Sequence, residues 1–111
     1  MDITQILGPI DAVEAMVTGT AKVERDDAVC VQLPTRYLYR SGVFRPVYGL
    51  DIRGLVGSRI IVHLGRVRVG DDGNSEEQIR IIKAYSLTGK IIGDHVPPGQ
   101  GYDIINLISL E

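Results

Sequence analysis

Apolar and polar positions alternate along most of this chain, and in one strand-like run the alternation changes parity. Within 58–69, Ile60, Val62 and Leu64 share one side of a period-two pattern. Val67 and Val69 share the other side, and Gly65 lies between the two sets. Such a run predicts a strand. The parity change predicts a β-bulge or sharp bend within 64–66, with glycine as its natural seat. Comparable runs predict strands near 17–24, 28–33, 47–52 and 78–87, and a further short strand from Lys90. Turn signals separate them at Arg25-Asp26-Asp27, Pro34, Ser41-Gly42, Gly54 to Gly57, Gly70 to Ser75, and Thr88-Gly89.

The first residues follow another period. Ile3, Ile6, Leu7, Ile10, Val13 and Met16 fall near a 3.6-residue repeat that Gly8-Pro9 interrupts. Asp2 and Gln5 are spaced like a capping box, and Pro9 suits a first helical turn. A short N-terminal helix is therefore expected from Pro9 to about Met16. The last apolar segment, 102–110, fits a strand or a short helix. The expected fold is mainly all-β: one domain over 1–111, a small barrel of five to six strands with that helix at its start.

Charge changes the picture. Seven arginines (Arg36, Arg40, Arg45, Arg53, Arg59, Arg66 and Arg68) lie between Ala28 and Gly70 against one acid, Asp51, a local net charge of +6. The remainder holds five basic residues and thirteen acids, so the total of −2 conceals two opposed halves. Aromatics interleave with the arginines in Arg36-Tyr-Leu-Tyr-Arg40 and again at Phe44, Arg45 and Tyr48. Guanidinium groups bind phosphates and aromatic faces stack on unpaired bases, so this combination suits a single-stranded nucleic acid. Solvated arginines and core-facing tyrosines on ordinary strands would give the same sequence.

One segment carries a resemblance. Leu55-Val-Gly-Ser-Arg-Ile-Ile-Val-His-Leu-Gly-Arg-Val67 resembles the fourth strand of OB-fold single-stranded DNA-binding proteins, and is similar in particular to the small primosomal replication proteins. In that group a G-[SD]-x-[VI]-x-V-x-G segment precedes a polar hairpin and a strand of the type Ile79–Leu87. Val17-Thr-Gly-Thr-Ala-Lys-Val23 resembles their first strand, where a glycine lets the strand curl into both sheets. The likeness covers about 16–88. It departs at His63-Leu64, which inserts one residue before Gly65, and at the apolar C-terminal segment, where the bacterial proteins carry an acidic tip. It implies binding through strands two and three with their loops. A second, shorter likeness, Thr20 to Glu24 with Ala28 to Pro34, is to the dimeric swapped-hairpin barrels of antitoxin-type transcription factors.

Catalytic signatures are missing. Ser41, Ser58 and Ser75 have no G-x-S-x-G context, and His63 and His95 stand apart. Cys30 is the sole cysteine, set among apolar residues, so it reads as a small buried hydrophobe. Two histidines and one cysteine far apart make no zinc set, and 71–77 misses the EF-hand spacing. Gly89-Lys90 and Gly99-Gln-Gly101 lack the remaining residues of a phosphate loop or a dinucleotide fingerprint. No enzyme activity, catalytic residue, cofactor or metal is expected.

The expected function is non-catalytic binding of single-stranded DNA or RNA through Arg36, Tyr37, Tyr39, Arg40, Phe44, Arg45, Tyr48, Arg53, Arg66 and Arg68. The alternative is a structural assembly subunit, of viral particle or phage-connector type, in which arginines pair with acids of a neighbouring copy. Self-association is expected through 102–110. No run of about 18 apolar residues and no secretory pattern is present, so no membrane partner is expected. The expected location is the cytoplasm, or the virion for a viral protein.

Overall fold

A computed structural model describes residues 3–23, 25–34, 41–70, 73–74 and 76–94. Six strands carry the fold: β1 (Ile3–Val23), β2 (Asp26–Gln32), β3 (Ser41–Pro46), β4 (Arg59–Gly70), β5 (Glu76–Ser86) and β6 (Ile91–Asp94). A single 3-10 turn, Arg53–Leu55, precedes β4. The strands close into a barrel in the order β1-β2-β3-β6-β5-β4, and every neighbouring pair is antiparallel.

The expected N-terminal helix is replaced by strand. Val13, Ala15 and Val17 are buried while Glu14, Met16 and Thr18 are exposed, which is period two. Ile10, Val13 and Met16 had fitted a helical period equally well. Pairing with β4 from Ile3↔Gly70 to Met16↔Arg59 decides between them. Gly8 and Pro9 fall at register shifts, where a strand tolerates proline.

The strand expected at 47–52 is a turn. β3 ends at Pro46, Gly49 takes φ +83°, and the Leu50 amide donates to the Val47 carbonyl at 3.3 Å. Val47, Leu50 and Ile52 are half-buried, so they were apolar for packing rather than for strand formation.

The parity change is real, and its cause lies outside β4. The residues of β4 pair without an insertion of their own. The extra residues are Leu7 and Ile10 on β1 and Ile82 on β5. β4 alternates throughout, and its buried side changes instead: Ile60, Val62 and Leu64 face the core, while Gly65 and Val67 are buried on the other face. Arg80, opposite Gly65, is fully buried on that second face. Gly65 is needed for space, because a Cβ there would meet the Ile82 side chain at 2.9 Å and the Gly8 carbonyl oxygen at 3.1 Å.

The core holds Val13, Val17, Val29, Val31, Leu33, Phe44, Ile60, Val62, Leu64, Ile81 and Ile92, with Ala15 and Ala84 between them. Each large side chain contributes roughly 1.5–3 kcal/mol by leaving water. β5 pairs with β6 only at 83–85, and β2 with β1 only from Met16 onward. Residues 3–10, 65–70 and 76–80 therefore continue past this core as a three-stranded arm.

Candidate functional surfaces

The structure distributes the expected nucleic-acid residues over separate places. Arg36, Tyr37, Tyr39 and Arg40 lie outside the described residues, as does 102–110. Phe44 is fully buried in the core, directly opposite Val29, so its expected stacking role is corrected. Alternation explains it. Val29 and Phe44 face inward, whereas Cys30 and Val43 face outward.

That outward face is itself covered. Ala28 and Val43 are buried there and Cys30 is half-buried. At Ala28, Cys30 and Val43 the outer side of β2 and β3 therefore offers little open surface. Burial raises the Cys30 thiol above its ordinary pKa, because a thiolate loses hydration there.

Arg45, Tyr48 and Arg53 are exposed around the end of β3. Tyr48 is completely open to solvent. Arg45 and Tyr48 line a shallow groove of about 350 Å³ together with Asp26, Asp27, Pro46, Leu50 and Ile52. The Asp27 carboxylate pairs with the Lys22 ammonium at 2.6 Å. Asp51 accepts a hydrogen bond from the Gly54 amide at 3.3 Å and so holds the 3-10 turn.

Arg66 and Arg68 are exposed on the arm. Two strands separate β3 from β4 in either direction around the ring, so the arm arginines do not join the Tyr48 groove in one face. Arg68 pairs with Glu77 of β5 at 3.6 Å. Arg59 pairs with Glu14 of β1 at 3.5 Å, and Arg45 stands opposite Asp94 of β6. At Arg45, Arg59 and Arg68, acids from outside the basic stretch thus stand beside its arginines.

Sequence reading missed another surface. On the outer side of β1, β4, β5 and β6, a row runs Glu14–Ile61–Tyr85–Ile91. Next to it run Ala12–His63–Lys83–Asp94 on one side and Met16–Arg59 on the other. The His63 and Tyr85 rings lie 4.6 Å apart, tilted by 44°. Met16 and Ile91 are 40% and 46% exposed, and Leu87 in the turn after β5 is more exposed still. The outward parity of Ile61 and Tyr85 was legible, but only the ladders set Ile61 beside Tyr85, with Met16 one row away on β1 and Ile91 beyond Tyr85 on β6.

Among the described residues, no group of three His, Cys, Asp or Glu side chains is placed to hold a metal. No helix among them is long and apolar enough to cross a membrane. Comparison with known proteins gives no relative: no family model matches the chain, and no curated protein or solved structure matches it.

Proposed function

We propose that this chain is a non-catalytic assembly subunit built on a small OB-like β-barrel, and that it acts through protein–protein contacts. The observation that carries this reading is the outer side of β1, β4 and β5. There Met16 and Arg59 of β1 and β4 lie one row from Ile61 and Tyr85 of β4 and β5. Tyr, Met and Arg are the residue types enriched in interface cores, and clustered exposed apolar groups mark contact sites. The local matching of arginines with acids supports the same reading.

The OB-like description is supported by β1, which passes from β4 to β2 through a register shift between Val17 and Gly19. A closed ring of five strands cannot be antiparallel throughout. Here the sixth strand, β6, makes the count even.

A second reading is single-stranded nucleic-acid binding, favoured by one feature: the fully exposed Tyr48 between Arg45 and Arg53. A stacked ring there would contribute about 1–3 kcal/mol. Light scattering after size exclusion, repeated with rising protein concentration, tests the assembly reading. A molar mass that climbs above the 12.1 kDa of one chain supports it. A constant monomer mass at every concentration rejects homotypic assembly.

A further inference from the structure

We infer that β6 exchanges between two copies of this chain, each copy inserting its Ile91–Asp94 strand between β3 and β5 of the other. The inference goes beyond the assembly reading. It assigns a partner, a second copy, and a docking slot, the place of β6 in the ring.

β6 is the shortest strand, four residues, and the last in chain order, so it can leave without threading past the others. It pairs with β5 at Lys83↔Asp94, Ala84↔Gly93 and Tyr85↔Ile91, and with β3 only at Arg45↔Asp94 and Pro46↔Gly93. Without β6, the strands β3, β2, β1, β4 and β5 stay joined in that order by longer ladders. The ring would then be open at one place, with the facing edges of β3 and β5 in need of a strand.

The slot is selective. Ile92 is buried in the core, so an apolar side chain is needed there. The next position takes only glycine, because a Cβ at Gly93 would fall within the Phe44 ring. Asp94 stands opposite Arg45 on one side and Lys83 on the other, which favours an acid at the end. A second copy carries a strand already fitted to all three requirements. Exchange keeps these contacts and changes only which chain supplies them.

The two forms differ at the turn between β5 and β6. In the closed turn the Ser86 amide donates to the Lys90 carbonyl at 2.9 Å and the Gly89 amide to the Ser86 carbonyl at 2.9 Å. Gly89 takes φ +92°. Exchange straightens this turn and gives up those bonds. The short tether also keeps a chain's own β6 at high effective concentration. The closed monomer therefore prevails in dilute solution, and the exchanged dimer gains as protein concentration rises.

Sedimentation velocity over a concentration series tests this with Gly89→Val. A branched side chain strains the closed turn at that positive φ and is relieved in a straightened one. The variant should therefore lower the dimer dissociation constant by about tenfold or more. Lys83→Cys with Asp94→Cys, in a Cys30→Ser background, sets a thiol pair across β5 and β6. Oxidised while dilute, this chain should be locked as a monomer at every concentration. Oxidised after concentration, its dimer fraction should run as two linked chains on a denaturing, non-reducing gel. Dimerisation that Gly89→Val leaves unchanged, a locked monomer that still dimerises, or a dimer fraction that runs as single chains overturns the exchange while leaving the assembly reading standing. Wild-type and Gly89→Val chains that both stay monomeric overturn the exchange together with homotypic assembly.

Discussion

The ring of Phe44 lies directly on the backbone of Gly93. A methyl at Gly93 would occupy the space of that ring and approach the Arg45 carbonyl oxygen at 3.0 Å. This contact joins β3 to β6, where the ladder holds only Arg45↔Asp94 and Pro46↔Gly93. The Val47 amide adds one bond to the Ile92 carbonyl at 3.0 Å. Closure of the barrel thus depends on a glycine and a buried ring in contact.

Gly93→Ala should therefore destabilise by at least the ~1–3 kcal/mol usual for overpacking. Phe44→Ala should cost about 3–5 kcal/mol as a cavity. Combining them should cost less than the sum, because the smaller residue at 44 makes room for the methyl. Urea unfolding of the two single variants and the double variant measures this. Strict additivity would show that the two sites do not touch.

The same seam should open first. It has the shortest ladder in the ring, and proline supplies no amide to it. Native-state hydrogen exchange should release the amides of Ile91 to Asp94 well before those of Val62 and Leu64, which lie in the longest ladders. Equal protection in β6 and β4 would contradict a weak seam.

Cys30 should be a slow nucleophile near neutral pH. Burial raises its thiol pKa, so thiolate is scarcer than in a free cysteine at any given pH. The raised folded-state value favours the neutral thiol. Its contribution to stability is complete below the unfolded pKa and is lost as pH rises through the folded one. Alkylation rates compared with glutathione from pH 7 to 10 check this. A rate matching glutathione at neutral pH would contradict it.

Exposed ion pairs should matter little to folding. Removing Glu77 from Arg68, or Glu14 from Arg59, should change stability by about 0.2–1 kcal/mol or less, because both partners are about half exposed or more. Thermal melts at low and high salt measure it. A loss of several kcal/mol would mean these pairs hold the arm or the barrel together.

How much of this was legible follows from particular residues. β4 and β5 were readable because their alternation has one physical interpretation, and the hairpin between them was bounded by glycine and acids. Residues 3–16 were not, since Ile10, Val13 and Met16 fit a helical period while Val13, Ala15 and Val17 fit period two, and only pairing with β4 decides between them. Phe44 sits among Val43 and Arg45 with nothing local to fix its side. Its inward direction comes from pairing with Val29. The Gly65 parity change was visible, but its source in Leu7, Ile10 and Ile82 lies on other strands. Charge was the least legible feature. A linear count gives a basic middle, whereas the ladders set Glu14, Glu77 and Asp94 beside Arg59, Arg68 and Arg45.

The central claim is that this surface meets protein rather than nucleic acid. The most direct measurement is two-colour sedimentation velocity of the chain with a labelled single strand of ~30 nucleotides at low salt, where phosphate contacts are strongest. The protein boundary should move faster as protein concentration rises, while the oligonucleotide sediments alone. An oligonucleotide that travels with the protein, and separates again at high salt, would contradict the account and return the function to the Tyr48 groove.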